Sequence, residues 1–212
     1  MHKTNIIYLY DNTFINLLTL ITLLINKHII PFNIKNEEYS PSLIDETINL
    51  RLNNRNELIE QFINKLGINI FNTIYYVFLS VNENKELLIY YFILSSLKYK
   101  NNILHMRNLK HINEVLKISN YVKREAHRTK GFIRFKEIKH GILYAEFAPE
   151  NNIIFLIANH FKKRLANEYW IIKDENRGIY ALYDKRKVIY LNDIPQMGQL
   201  IKWNIIQLLI NE

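Results

Sequence analysis

The sequence predicts an α+β protein: a mostly helical N-terminal half, then a mainly antiparallel sheet in the order β-β-α-β-β-β with a closing helix. Three observations carry that prediction. Apolar residues recur at helical spacing between positions 58 and 128, the period drops to two after Gly131, and short turn-marked segments follow one another from there. With 49% hydrophobic residues in 212, a buried core is expected. The expected organisation is a mainly helical region over 1–128 with one N-terminal strand and a basic α+β region over 129–212, joined as one compact unit.

Ile6-Ile7-Tyr8-Leu9-Tyr10 is a β-branched and aromatic run ending at Asp11-Asn12-Thr13, which reads as a strand running into a helix cap. The helix follows from Phe14 to about Asn26, apolar on nearly every face and therefore buried. Residues 27–56 hold two prolines and no sustained period, and read as a connector. Leu58, Phe62 and Leu66 form a helical stripe that stops at Gly67, a residue suited to the position after a helix C-terminus. Ile70, Ile74 and Val77-Phe78 make a second stripe, and Leu87 to Leu97 a third. From Met106 to Arg128 a longer amphipathic helix is expected, with Leu109, Ile112, Val115, Leu116, Ser119 and Val122 facing inward. Lys110, Lys117, Arg124 and Arg128 share another stripe of it, together with Glu114.

Phe132-Ile133-Arg134-Phe135 and Ile142 to Phe147 then read as two strands joined around His140-Gly141. Pro149-Glu150-Asn151-Asn152 interrupts them, and a helix from Ile153 to Leu165 ends on Lys162, Lys163 and Arg164, where cations suit the helix dipole. Tyr169–Lys173, Gly178–Tyr183 and Lys187–Leu191 are three further strands, and Met197 to Ile210 the closing helix.

The absence of cysteine removes disulfides, thiolate zinc, iron–sulfur clusters and a thiol nucleophile from this chain. The run from Phe14 to Ile25 falls short of the roughly 18–20 residues of a membrane-spanning helix, and Asp11-Asn12 and the lack of a small-residue cleavage site fit a signal peptide poorly. A cytoplasmic location with no membrane partner is the simplest expectation. The net charge of +8 is concentrated: residues 121–190 carry 15 basic and 8 acidic groups, while residues 1–120 carry 12 and 10. Such a local excess is the pattern of a polyanion-binding surface, and equally of solvated strand faces.

The densest chemistry lies in Arg124-Glu125-Ala126-His127-Arg128-Thr129-Lys130-Gly131-Phe132-Ile133-Arg134-Phe135, then Pro149 to Asn152, His160 to Arg164, Trp170 to Asp174, and Arg177. No nucleotide-binding glycine loop, nucleophile elbow or HExxH pattern occurs, and His127, His160, Glu146 and Asp174 lack metal-ligand spacing, so no metal is expected. Arg124, Arg128, Lys130, Arg134, Lys162, Lys163, Arg164 and Arg177 are the candidate phosphate contacts, because guanidinium forks pair with phosphate and phosphate contacts dominate non-specific affinity. Arg177, beside Gly178 in a turn, is expected to be exposed. Phe132, Phe135, Tyr144 and Trp170 interleave with the cations; exposed rings stack on unpaired bases, although most of the four are expected in the core.

The order and spacing of residues 124–177 resemble a bacterial family of probable DNA metabolism proteins, a domain of unknown function. Weaker similarity extends to the opening strand, Asp11 and Tyr39-Ser40-Pro41-Ser42-Leu43. The resemblance implies a role in DNA metabolism or repair, a genetic neighbour that is a radical SAM DNA-repair protein, and relatives fused to a uracil-DNA-glycosylase-like domain. Family members usually carry Met at Thr129, an aromatic at Leu165, and often His at or near Asn151 and at Lys173. Any acid–base role here therefore rests on His127 and His160. Three readings stay open: a DNA-binding protein acting with a radical SAM partner that carries the cluster and SAM; a nuclease or glycosylase-like hydrolase using His127 or His160 with Glu146 or Asp174; and a protein-binding module without DNA affinity. Each imidazole also reads as a structural group.

Overall fold

The structure is a computed structural model that describes residues 5–42, 45–49, 57–138 and 141–192. The chain divides into two compact units, Met1–Tyr121 and Val122–Glu212, each with its own sheet.

The first unit runs β1 (Asn5–Tyr10), α1 (Phe14–Asn26), β2 (Asn33–Asn36), β3 (Asp45–Asn49), α2 (Glu57–Leu66), α3 (Ile68–Phe78), α4 (Lys85–Tyr99), a 3-10 turn (Lys100–His105) and the first part of α5 (Lys110–Phe132). Thr13 caps α1 in extended conformation, its hydroxyl accepting from the Asn16 N–H at 3.4 Å. Leu17, Leu18, Leu20, Ile21 and Leu24 of α1 meet Ile70, Ile74 and Val77 of α3 and Ile89, Phe92 and Ile93 of α4 in one apolar core. The 13 residues of α1 are thus a core helix, and among the described residues no helix is long and apolar enough to cross a membrane.

Two expectations for this unit are corrected. The connector between α1 and α2 contains strands, and β1 is therefore the centre of a three-stranded sheet in the order β2-β1-β3, parallel on both sides. Neither added strand has an apolar run of its own: β2 is Asn-Ile-Lys-Asn, whose Ile34 is fully buried, and β3 offers the partly buried Ile48. Pairing with β1 supplies what local propensity lacks. The long amphipathic helix also begins at Lys110 and not at Met106, and ends at Phe132. Its expected inward positions hold: Ile112, Val115, Leu116, Ser119 and Val122 are buried, and Leu109, just before its first turn, packs partly buried against the core.

The second unit comprises the rest of α5, then β4 (Lys136–Glu137), β5 (Leu143–Phe147), α6 (Ile154–Arg164), β6 (Trp170–Asp174), β7 (Ile179–Tyr183) and β8 (Val188–Asn192). The order β-β-α-β-β-β stands as predicted, and the strands lie in sequence order across the sheet. Three of the four pairings are antiparallel; β5 and β6 are parallel, because α6 carries the chain back between them. Ile142, Ile171, Tyr180 and Leu182 form a cluster on one face. Trp170, Ile172, Ala181 and Tyr183, of opposite pleat parity, are buried too. α6 packs against β6, β7 and β8 through Ile154, Ile157, Ala158 and Phe161.

Phe132 to Phe135 is not a strand. α5 runs through Gly131 to Phe132, and only Lys136 and Glu137 pair with β5. Ile133 is still buried, at the end of the helix's inner stripe Val122, Ala126 and Ile133, which outweighs the helical penalty of about 1 kcal/mol for a glycine. Gly141, at φ 72°, takes the left-handed conformation that its turn requires. His140 and the expected helix over 197–210 lie outside the described residues.

Candidate nucleic-acid interface

The segment joining β5 to α6 is held by a polar clamp. Glu125, on the flank of α5, accepts from the backbone N–H groups of Glu150 and Asn151 at 2.7 and 3.1 Å and from the Asn151 side-chain amide at 2.7 Å. Two of these donors lie just before the first turn of α6, where a carboxylate is favoured by the helix dipole. On the other side, Arg177 donates to the Pro149 carbonyl at 3.1 Å, to the Glu150 carbonyl, and to the Asp174 carboxylate at 3.2 Å. Asn176 adds a bond to the Pro149 carbonyl at 2.8 Å. The Asp174 side chain is fully buried, and that burial pushes its carboxyl above the usual range, against the opposing pull of Arg177.

The clamp corrects the expectation for Arg177, whose side chain is 21% exposed and whose guanidinium is engaged by one carboxylate and two carbonyls. The turn after β6 is short enough to fold Arg177 back over Asp174 three residues earlier, so a turn position did not mean a free one. Glu125 is the functional-looking residue that sequence reasoning passed over. Its signal was available: it is the one acid in Lys123-Arg124-Glu125-Ala126-His127-Arg128-Thr129-Lys130.

The remaining cations are differently placed. Arg124, Arg128 and Arg134, and Lys162, Lys163 and Arg164 at the end of α6, are exposed, and Lys130 is half-buried. Arg134 folds back on the C-terminus of α5, donating to the Gly131 and Ile133 carbonyls at 2.7 and 3.2 Å. The Gly131 carbonyl belongs to the last turn and the Ile133 carbonyl lies just past it, where helical partners run out. Among the described residues, Arg177–Asp174 is the ion pair involving any of the eight candidate cations.

The segment that follows α5 meets α6 where Phe135 packs edge-on to Phe161, ring centres 5.0 Å apart. His160, half-buried on α6, lies there, and its imidazole is held below the ordinary value of 6.5 by burial and by the charges of Lys130 and Arg164. Lys130, His160 and Arg164 are therefore brought together from two helices. His127 is exposed on α5, one turn beyond Arg124. Of the acidic groups considered for proton transfer, Glu146 is exposed and accepts from the Tyr144 hydroxyl at 3.0 Å, and Asp174 is engaged by Arg177. Among the described residues no hydrogen bond joins His127 or His160 to a carboxylate, and no three His, Cys, Asp or Glu converge as metal ligands.

The four candidate rings divide unequally. Trp170 is fully buried and stacks on Tyr183 at 5.2 Å, Phe135 packs on Phe161, and Tyr144 is partly buried. Phe132 alone among them is 74% exposed.

Comparison with curated proteins returns no match. A family model does match, over residues 83–204, which take in α4, α5, the five-stranded sheet, every residue of the clamp and all the candidate cations. That span exceeds half of the 212 residues, and the chain belongs to the family described as a domain of unknown function, DUF4130.

Proposed function

We propose that this chain binds nucleic acid through the outer faces of α5 and α6, and that it acts in DNA metabolism or repair beside a radical SAM partner. The observation that carries the reading is the set of cations on those helices, and on the residues just after α5, that among the described residues engage no carboxylate: Arg124, Arg128, Lys130, Arg134, Lys162, Lys163 and Arg164. Fold stability does not account for holding so many like charges on two neighbouring helices, whereas a polyanion neutralises them and releases its own counterions. The division of labour follows from composition. With no cysteine in its sequence, the chain has no ligands for a radical-generating cluster, so that cluster and SAM belong to the partner.

Fluorescence anisotropy against labelled DNA at a series of salt concentrations tests the reading. Affinity falls steeply with salt, each neutralised phosphate of a duplex contributing about −0.9 to the logarithmic slope. Replacing Arg124 and Arg128 together with Ala makes the slope shallower by about 2 and weakens binding to all sequences alike. Affinity that is absent, or indifferent to salt, would falsify the proposal; capture of the radical SAM partner without any DNA affinity would turn it into that of a protein-binding module.

A further inference from the structure

Phe132 is the last residue of α5 and, at 74%, the most exposed large hydrophobic side chain among the described residues. An apolar ring so open at the end of a helix contributes little to a core, and its surroundings are cationic. Arg128 precedes it by one helical turn and shares its stripe of α5. Beyond it, Arg134 is tied to the carbonyls on either side of Phe132, those of Gly131 and Ile133. The ring is therefore bracketed by two arginines, one a helical turn before it and one tied to the backbone on either side of it. The neighbouring Gly131 leaves the surface open, since a Cβ placed there meets nothing within 4 Å.

From this arrangement we infer that Phe132 is a stacking platform for an unpaired base, so that the α5 surface prefers single-stranded nucleic acid to duplex. A duplex offers phosphates to Arg128 and Arg134 but keeps the faces of its bases stacked inside; a single strand offers both, and ring-on-base stacking adds to the phosphate contacts. Base stacking is tolerant of sequence because every base has a π face. The inference rests on the nucleic-acid reading above and deepens it, by assigning the strandedness of the ligand to one side chain.

The test is anisotropy of a labelled single-stranded oligonucleotide and of its duplex, with the full chain as wild type, Phe132→Ala, Phe132→Trp and the Arg124→Ala/Arg128→Ala pair, each first shown to be folded by circular dichroism. Phe132→Ala is expected to weaken single-strand binding by roughly tenfold, to leave duplex binding unchanged, and to be rescued by Phe132→Trp. A 2-aminopurine placed in the single strand is quenched by the wild type and not by Phe132→Ala. If Phe132→Ala binds single strands like the wild type while the arginine pair loses binding, the platform is overturned and the nucleic-acid reading survives. If the wild type binds neither oligonucleotide, both fall.

Discussion

The two units use their polar side chains differently. In the first, they are largely spent on the fold: Asp11 accepts from Thr13 and from the Asn16 amide at the start of α1, Asp45 accepts from Tyr39 and Ser42, Lys35 donates to the Glu83 carbonyl, and the buried Tyr10 hydroxyl donates to Glu86 at 3.0 Å. In the second unit the charges fall into two populations. Glu125, Asp174 and Arg177 form the clamp around Pro149 to Asn151, while the candidate cations of α5 and α6 pair with no carboxylate among the described residues. Charge excess along the sequence does not separate the two populations; engagement does. Arg177 belongs to the same basic segment as Arg128 and does a different job.

Stability measurements are the sharpest way to break that distinction. Arg177→Ala is expected to have the largest effect, a loss of about 3 kcal/mol in urea unfolding, because it leaves the buried Asp174 without its counter-charge and the Pro149 and Glu150 carbonyls without their donor. Arg124→Ala is expected to stay within about 0.5 kcal/mol of the wild type, as a surface change that breaks no bond. Comparable losses from the two would remove the line between clamp and surface.

A smaller effect is expected inside the first unit, where Glu86 is 5% exposed. Burial raises its carboxyl above the ordinary value of 4.5, with the Tyr10 hydroxyl bond and the charges of Lys85 and Lys35 opposing. The unfolded chain therefore gives up this proton at lower pH than the folded one. The contribution of Glu86 to stability is full below about pH 4.5 and is lost as pH rises through the folded-state value. Tm followed across that window falls more in the wild type than in Glu86→Gln, which carries no titrating group there. Parallel curves for the two proteins would mean that the Tyr10–Glu86 pair has no differential protonation.

What the sequence disclosed, and what it withheld, follows from the range of the interactions. Elements set by local pattern were legible almost to the residue: β1 with its Asp11-Asn12-Thr13 cap, α1, the stop at Gly67, whose φ is 86°, and the strands from Trp170 onward. β2 and β3 were not, because single residues such as Ile34 and Ile48 make no pattern until β1 lies beside them. Phe132 to Phe135 alternated like a strand, yet the inner stripe of α5 continued to Ile133. For the site, exposure of Arg124 and Arg128 follows from position on the expected helix, whereas that of Phe132 was hidden by its reading as a strand residue. The clamp joins Glu125 to Asn151 across 26 positions and Arg177 to Pro149 across 28, and no periodicity reports contacts of that kind.

The smallest expected effect reads the surface from within. His160 on α6 lies within the field of Lys130 on α5 and of Arg164, which add to burial in holding its imidazole below 6.5. Removing either cation, by Lys130→Ala or Arg164→Ala, lets the imidazole hold its proton to higher pH. Bound phosphates act in the same direction, because they offset those cations and favour the protonated ring. An NMR titration of the His160 ring should therefore move upward on adding an oligonucleotide, and by less in Arg164→Ala, where part of the repulsion is already gone. The clamp is a built-in contrast, since Asp174 is fully buried against Arg177. If DNA binds with full affinity and His160 titrates as before, the ligand lies away from the meeting of the two helices, and the cations of α5 and α6 do not act as one surface.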